Sequence, residues 1–118
     1  MMTRVKRGVT AHRRHKKVLS QTAGHSGARH RLFKTANESL IHALAYQYRD
    51  RRNRKRDLRR LWIIRINAAA REHGLSYSRF TAALAAHGIE VNRKMLAELA
   101  VRNRDEFASL VALAKAPA

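Results

Sequence analysis

The sequence predicts an all-α protein: a long, kinked, basic N-terminal helical extension followed by a small globular helical domain. Three observations lead there. No stretch alternates apolar and polar residues with a period of two, so no sheet is expected. Gly stands only at 8, 24, 27, 74 and 88 and the sole Pro is Pro117, so long segments run without a breaker. The charge is also divided: residues 1–60 hold 18 basic and 3 acidic side chains, and residues 61–118 hold 8 and 5. The first half carries a net +15 and suits a polyanion; the second carries +3 and suits a core.

The first predicted element is the basic arm, interrupted by "TAGHSGAR" (22–29), which reads as a break between helices. From Ala28 to His73 nothing punctuates the chain, and those 46 residues as one helix would span about 69 Å. No small core covers such a length, so part of the helix must project or lie along a partner. Leu40, Ile41, Leu44 and Tyr48 fall at helical spacing and predict one contact stripe. The stripe then lapses and returns as Leu58, Leu61, Trp62, Ile66, Ala69 and Ala70. Gly74 is placed to end the helix in a left-handed turn.

Three shorter helices follow. Ser76 or Ser78 can cap one that carries Tyr77, Phe80, Ala83 and Leu84 and stops at Gly88. Asn92 can cap the next, with Met95, Leu96 and Leu99 inward. Asn103 with Glu106 resembles a capping box opening the last, with Phe107, Leu110, Val111 and Ala114 inward. With the end of the long helix these make roughly 60 residues, near the lower size at which one core suffices. The expected division is residues 1–57, a basic extension, and residues 58–118, the globular domain.

The densest charge lies directly against the apolar stripe. Between Arg49 and Arg60 stand eight Lys or Arg and two Asp, a net +6 in twelve residues. At 100° per residue, the basic positions from 51 to 60 cover an arc of about 240°. Such a girdle expects phosphates from several sides, and the adjoining core segment would anchor it. Residues 1–57 hold 16 basic side chains against Glu38, Asp50 and Asp57 and have few apolar ones. Backbone ordering costs roughly 1–2 kcal/mol per residue. Without neutralisation this arm is therefore expected to fray, and to order on a polyanion.

Catalytic and metal chemistry find no support. There is no cysteine, no phosphate-binding glycine loop and no nucleophile elbow. The eight acidic residues sit as helix ion pairs and caps rather than as an acid/base pair. His12 and His15 share a spacing that could hold a cation, but Arg13, Arg14, Lys16 and Lys17 surround them. No enzyme activity, metal or cofactor is expected. No apolar run is long enough to cross a membrane, and the basic N-terminus leads into no apolar signal region. The cytoplasm is the expected compartment, with no membrane partner and no homo-oligomer.

Nucleic acid is the expected polyanion. Membrane binding would set bulky apolar residues opposite the charges, and within 49–60 only Leu58 is apolar. Arg outnumbers Lys 19 to 7, and Arg makes forked phosphate contacts and stacks on bases. A helix-turn-helix reading would need a recognition helix, yet Asn92–Val101 carries only Arg93 and Lys94. The girdle and the arm favour RNA, where phosphates can face a helix from all sides. A DNA-binding nucleoid or regulatory protein is the alternative.

"RVKRGVTAHRRHKKVL" (4–19), "YRDRRNRKRDLRRLWIIRINAAAREHGLSYSRF" (48–80) and "VNRKMLAELAV" (91–101) resemble the bacterial large-subunit ribosomal protein family L-twenty. The most specific part is Lys55, Arg59, Leu61, Trp62, Ile63, Arg65, Ile66, Asn67 and Arg71 at their spacing. The resemblance implies direct binding to large-subunit rRNA, a part in early subunit assembly, and other large-subunit ribosomal proteins as partners. It also implies a long N-terminal helical extension on a small helical domain. Some family members bind their own messenger RNA and repress its translation, a role that does not exclude the first. Family members often carry aromatics after the glycine where this chain has His25 and Ser26.

On this reading Arg4, Lys6, Arg7, Arg13, Arg14, Lys16, Lys17, Arg29, Arg31 and Lys34 neutralise phosphates along the arm. Arg49, Arg51, Arg52, Arg54, Lys55, Arg56, Arg59 and Arg60 do so along the long helix, and Arg65 and Asn67 are further expected RNA contacts. Gly8, Gly24 and Gly27 are expected to permit bends or close backbone approach. Trp62 is expected as a core anchor on the Leu58–Ile66 stripe, with base stacking the alternative.

Overall fold

The computed structural model describes residues 6–117. Arg4, an expected RNA contact, lies outside them. The described residues form five α-helices and no strand: α1 (Gly8–Gln21), α2 (Phe33–Glu72), α3 (Tyr77–Ala86), α4 (Arg93–Arg102) and α5 (Arg104–Lys115). A short 3-10 turn, Gly27–His30, stands between α1 and α2. The all-α class is thus as expected, with one long helix of 40 residues, about eleven turns. Contacts divide the chain into two units, one up to Arg52 and one from Asn53.

In the first unit the break expected at 22–29 is present and continues to Leu32. The α-helix begins at Phe33, not at Ala28. The reason is local: Gly24 and Gly27 take φ of +88° and +62°, and Arg31 N–H bonds Ala28 O at 3.0 Å in the tighter 3-10 pattern. Gly8, by contrast, is the first residue of α1 and makes no bend. Side chains tie the turn down. The His25 ring Nδ1 lies 2.7 Å from Ser39 Oγ, and His30 Nδ1 donates to His25 O at 2.8 Å.

Packing in this unit rests on small residues. Ala11, His15, Val18 and Thr22 mark the less exposed face of α1, at spacings of four, three and four. The His15 ring stacks on Phe33 with centroids 3.8 Å apart. Only Thr22 and Ala36 are buried among its described residues. The Thr22 hydroxyl lies within hydrogen-bond distance of Val18 O and Leu19 O, so its burial leaves no unpaired polar atom. The predicted contact stripe is displaced: Ile41, Leu44 and Tyr48 are more than half exposed. Phe33, Ala36, Leu40 and Ala43 are the less exposed positions instead.

The second unit holds the hydrophobic core. Ile66 and Ala70 of α2, Phe80 and Leu84 of α3, Leu96, Ala97 and Ala100 of α4, and Phe107 and Val111 of α5 form one buried cluster. Helix α5 packs against both α3 and α4, and the Phe80 and Phe107 rings meet at 5.2 Å and 45°. Leu58 and Leu61 are each 40% exposed, so the core side of α2 starts at Trp62 rather than at Leu58. Met95, expected inward, is 58% exposed; Leu96, Ala97 and Ala100 take the inner face of α4.

The helix ends follow the sequence in most places. Gly74 (φ +83°) closes α2: its N–H bonds Arg71 O, and Leu75 N–H reaches Ala70 O, both at 3.0 Å. Gly88 and Ile89 repeat this pair of bonds onto Ala85 and Leu84. Ser76 Oγ accepts from Arg79 N–H at 3.4 Å, and Asn92 Oδ1 accepts from Met95 N–H at 2.9 Å. The capping box expected at Asn103 does not form. Asn103 alone links α4 to α5, and its N–H is committed to Leu99 O at 3.0 Å. Its ψ of 72° departs from the 159° and 162° of the two working caps, Ser76 and Asn92. Asp105 and Glu106 still favour the positive N-terminal end of α5.

Candidate RNA interface

Every described basic residue expected on the arm is solvent-exposed: Lys6, Arg7, Arg13, Arg14, Lys16 and Lys17 on or beside α1, and Arg29, Arg31 and Lys34 around the turn. The same holds for the whole of 49–60 within α2. A continuous helix turns successive residues by 100°, so the uninterrupted helical backbone there distributes Arg51, Arg52, Arg54, Lys55, Arg56, Arg59 and Arg60 around the axis.

Little carboxylate opposes this charge. Among the described residues the ion pairs are Arg49–Asp50 at 3.0 Å, Arg60–Asp57 at 3.8 Å and Arg102–Glu98 at 3.3 Å. All three pairs are well exposed, so solvent screens them. Arg51, Arg52, Arg54, Lys55, Arg56 and Arg59 have no carboxylate partner among the described residues. The Arg49 guanidinium lies 4.5 Å from the Tyr46 ring centre and that of Arg52 4.7 Å from Tyr48. These contacts place the two guanidinium groups over the rings; Arg49 Nε donates to Asp50, and the other donors of the pair are left for an outside acceptor.

Arg65 is exposed on α2. Asn67 is half-buried, and its Oδ1 accepts from Arg71 Nε at 3.2 Å and from the Tyr77 backbone N–H at 3.3 Å. That oxygen is thus engaged in holding the turn after α2 against the start of α3. Trp62 is half-buried and packs against the core. It also lines an open cleft of about 330 Å³ with Arg65 on α2 and Lys94, Glu98 and Arg102 on α4. Both alternatives for Trp62 therefore have a structural counterpart.

Sequence reasoning gave no role to Lys94 and Arg102. They stand eight residues apart on α4, a same-face spacing, but which face of α2 they would meet depends on helix packing. The His12 and His15 spacing also resolves structurally: His15 is taken up by its stack on Phe33, while His12 is exposed. Among the described residues no group of three His, Cys, Asp or Glu could hold a metal ion, and no helix is long and apolar enough to cross a membrane.

A long, exposed, cationic helix surface with little opposing carboxylate is built to bind a polyanion. Residues 4–110 match the family model "Ribosomal protein L20". Relatives named "Large ribosomal subunit protein bL20" include those of Thermomicrobium roseum, 59% identical, and Finegoldia magna, 56% identical, each over 97% of both chains. That of Chloroflexus aurantiacus is 58% identical over 98% of this chain and 97% of its own. The chain belongs to the bacterial ribosomal protein family L-twenty.

Proposed function

We infer that this chain is a structural constituent of the large ribosomal subunit in the bacterial cytoplasm, binding large-subunit rRNA directly and promoting early subunit assembly. Family membership and the names of the relatives support the ribosomal setting. The observation that carries the RNA contact is the exposed 49–60 segment, where six basic side chains have no carboxylate partner among the described residues. Packed duplexes within a folded rRNA present phosphates on several sides of a helix, which is what a girdle of charge requires.

The basic residues of 1–57 act as phosphate ligands, those of α1 and the turn joining those of α2. Residues 58–118 supply the folded anchor. Phosphate contacts fix position and register, while any reading of bases falls to the few polar and aromatic groups nearby. The role is structural rather than enzymatic, and the partners are rRNA and neighbouring ribosomal proteins.

Sedimentation of a cell extract tests this reading. The chain should co-migrate with the large subunit and stay with it through a high-salt wash. Recovery at the top of the gradient, or with chromosomal DNA, would overturn it.

A further inference from the structure

The first unit contains an open cleft of about 540 Å³ between the turn after α1 and the face of α2. His25, Ser26 and Arg29 line it from the turn; Glu38, His42 and Tyr46 are among those lining it from α2. Its volume lies within the range of about 300–1,000 Å³ typical of small-ligand sites. The His42 and Tyr46 rings lie 6.0 Å apart and inclined at 29°, so α2 offers π-surface there.

Glu38 is the unexpected member. The basic half of the chain has three carboxylates, Glu38, Asp50 and Asp57. Asp50 sits against Arg49 and Asp57 against Arg60. Glu38 makes no ion pair among the described residues, is exposed, and lines the cleft. A free carboxylate repels phosphate, so on a phosphate-binding surface it opposes function unless it meets a donor. Nucleobases supply donors, and a carboxylate in a groove reads an amino edge. Guanine offers two adjacent donors, N1–H and the N2 amino group, which match both oxygens of one carboxylate. Unpaired RNA bases are recognised in this way, by stacking on rings and bonding along their Watson–Crick edge.

We propose that the cleft between the 25–29 turn and α2 receives one unpaired guanine of the bound RNA. Glu38 accepts from guanine N1–H and N2–H, the His42 and Tyr46 rings stack on the base, and Arg29 meets its phosphate. This rests on the reading of the chain as an RNA-binding protein and adds a base-specific point to a surface otherwise made of phosphate contacts. The hydrogen bond between His25 and Ser39, and that from His30 to His25 O, would hold the turn wall in place.

Binding of the full chain to fluorescent twelve-nucleotide RNAs tests it, with repeating UG, UC and UA compared with U alone. Moderately high salt is used to weaken the phosphate contribution. The UG oligomer should bind about tenfold more tightly than U alone, a usual scale for one bidentate base contact. Glu38→Gln should abolish that preference and leave binding to U alone unchanged or slightly stronger. Tyr46→Ala should weaken UG binding more than binding to U alone. Equal affinity of the unaltered chain for all four RNAs would overturn the guanine site while leaving RNA binding intact. A preference for UG that survives Glu38→Gln would also overturn it. No measurable binding to any RNA would instead overturn the reading beneath it. Circular dichroism of each variant, with unchanged helicity expected, separates a lost contact from a lost fold.

Discussion

Asn67 Oδ1 accepts the backbone N–H of Tyr77 at 3.3 Å, ten residues further along the chain. The same oxygen accepts from Arg71 Nε at 3.2 Å. One side-chain carbonyl thus fastens the first residue of α3 to the last turns of α2. Asn67→Ala removes that acceptor and leaves the Tyr77 N–H to find water. A loss of about 1–2 kcal/mol is expected, the usual effect of deleting one partner of a half-buried hydrogen bond. Asn67→Asp keeps an acceptor and should recover most of it. Thermal melting of the full chain without RNA measures both. A melting curve unmoved by Asn67→Ala would leave Asn67 as an RNA contact alone.

The core predicts a ranking of truncations. Phe107 is 1% exposed and touches Phe80, so Phe107→Ala should cost about 3–5 kcal/mol. Trp62 is only half-buried, and Trp62→Ala should cost clearly less. Leu58, at 40% exposed and outside the cluster, should change stability by under about 1 kcal/mol when replaced by Ala. Denaturant titration of the three variants gives the order. Equal losses for Leu58→Ala and Phe107→Ala would contradict a core that begins at Trp62.

Glycine substitutions separate backbone strain from packing. A Cβ at Gly74 would meet nothing within 4 Å, yet its φ is +83°. Gly74→Ala should therefore destabilise by about 1 kcal/mol or more through the backbone alone. At Gly8 the surroundings are equally open, but the residue lies in α1 without a positive φ. Gly8→Ala should be neutral or stabilise α1 by up to about 1 kcal/mol. Opposite signs in paired melting experiments are the expected result.

These contrasts show which features the sequence carried. Caps and stops were legible because their chemistry is local. Ser76, Asn92, Gly74 and Gly88 act within four or five residues of themselves. The capping box at Asn103 was misread because the same residue ends α4, a competition that motif spacing does not reveal. Of the Leu40–Tyr48 stripe only Leu40 turns inward within the chain, and Ile41, Leu44 and Tyr48 stay more than half exposed. Large apolar residues suggest a buried face, but packing in the first unit uses Ala36, Thr22 and the His15–Phe33 stack. Small residues allow close approach and carry almost no hydropathic signal. The basic segment was legible in density, while the Trp62, Arg65, Lys94 and Arg102 cleft and the one around Glu38 were not. Each needs two segments brought together by folding.

Salt dependence should locate the phosphate contacts. Each phosphate neutralised by Lys or Arg contributes about 0.7–0.9 to the slope of log affinity against log salt. Replacing Arg51, Arg52, Arg54 and Lys55 together by Gln removes four exposed side chains that have no carboxylate partner among the described residues. The slope for an rRNA fragment should flatten by about 3 if each meets a phosphate. Stability of the free protein should hold or rise, since like charges at neighbouring helix positions repel. An unchanged slope would remove this segment from the interface.

Amide exchange should differ sharply between the two units before RNA is added. Protection against exchange tracks the free energy needed to open a segment, and buried apolar side chains supply most of it. The second unit buries Ile66, Phe80, Leu84, Leu96, Phe107 and Val111 in one cluster. The described residues of the first bury only Thr22 and Ala36, and α1 has no acidic residue in its first turn and no side-chain cap. Backbone ordering at roughly 1–2 kcal/mol per residue must be offset there by helix hydrogen bonds and a few half-buried contacts. Its cationic side chains add repulsion that only an anion relieves. Amides of α1 and of residues 33–52 should therefore exchange quickly in the free protein, while those around Ile66, Phe80 and Phe107 exchange slowly. Adding an rRNA fragment should slow exchange across the first unit most, since neutralised charge removes the repulsion and bound RNA fixes the helices. Strong protection of α1 in the free protein, equal to that of α5, would show that the His15–Phe33 stack and the burial of Thr22 and Ala36 suffice alone. Ordering of the arm would then not be coupled to RNA.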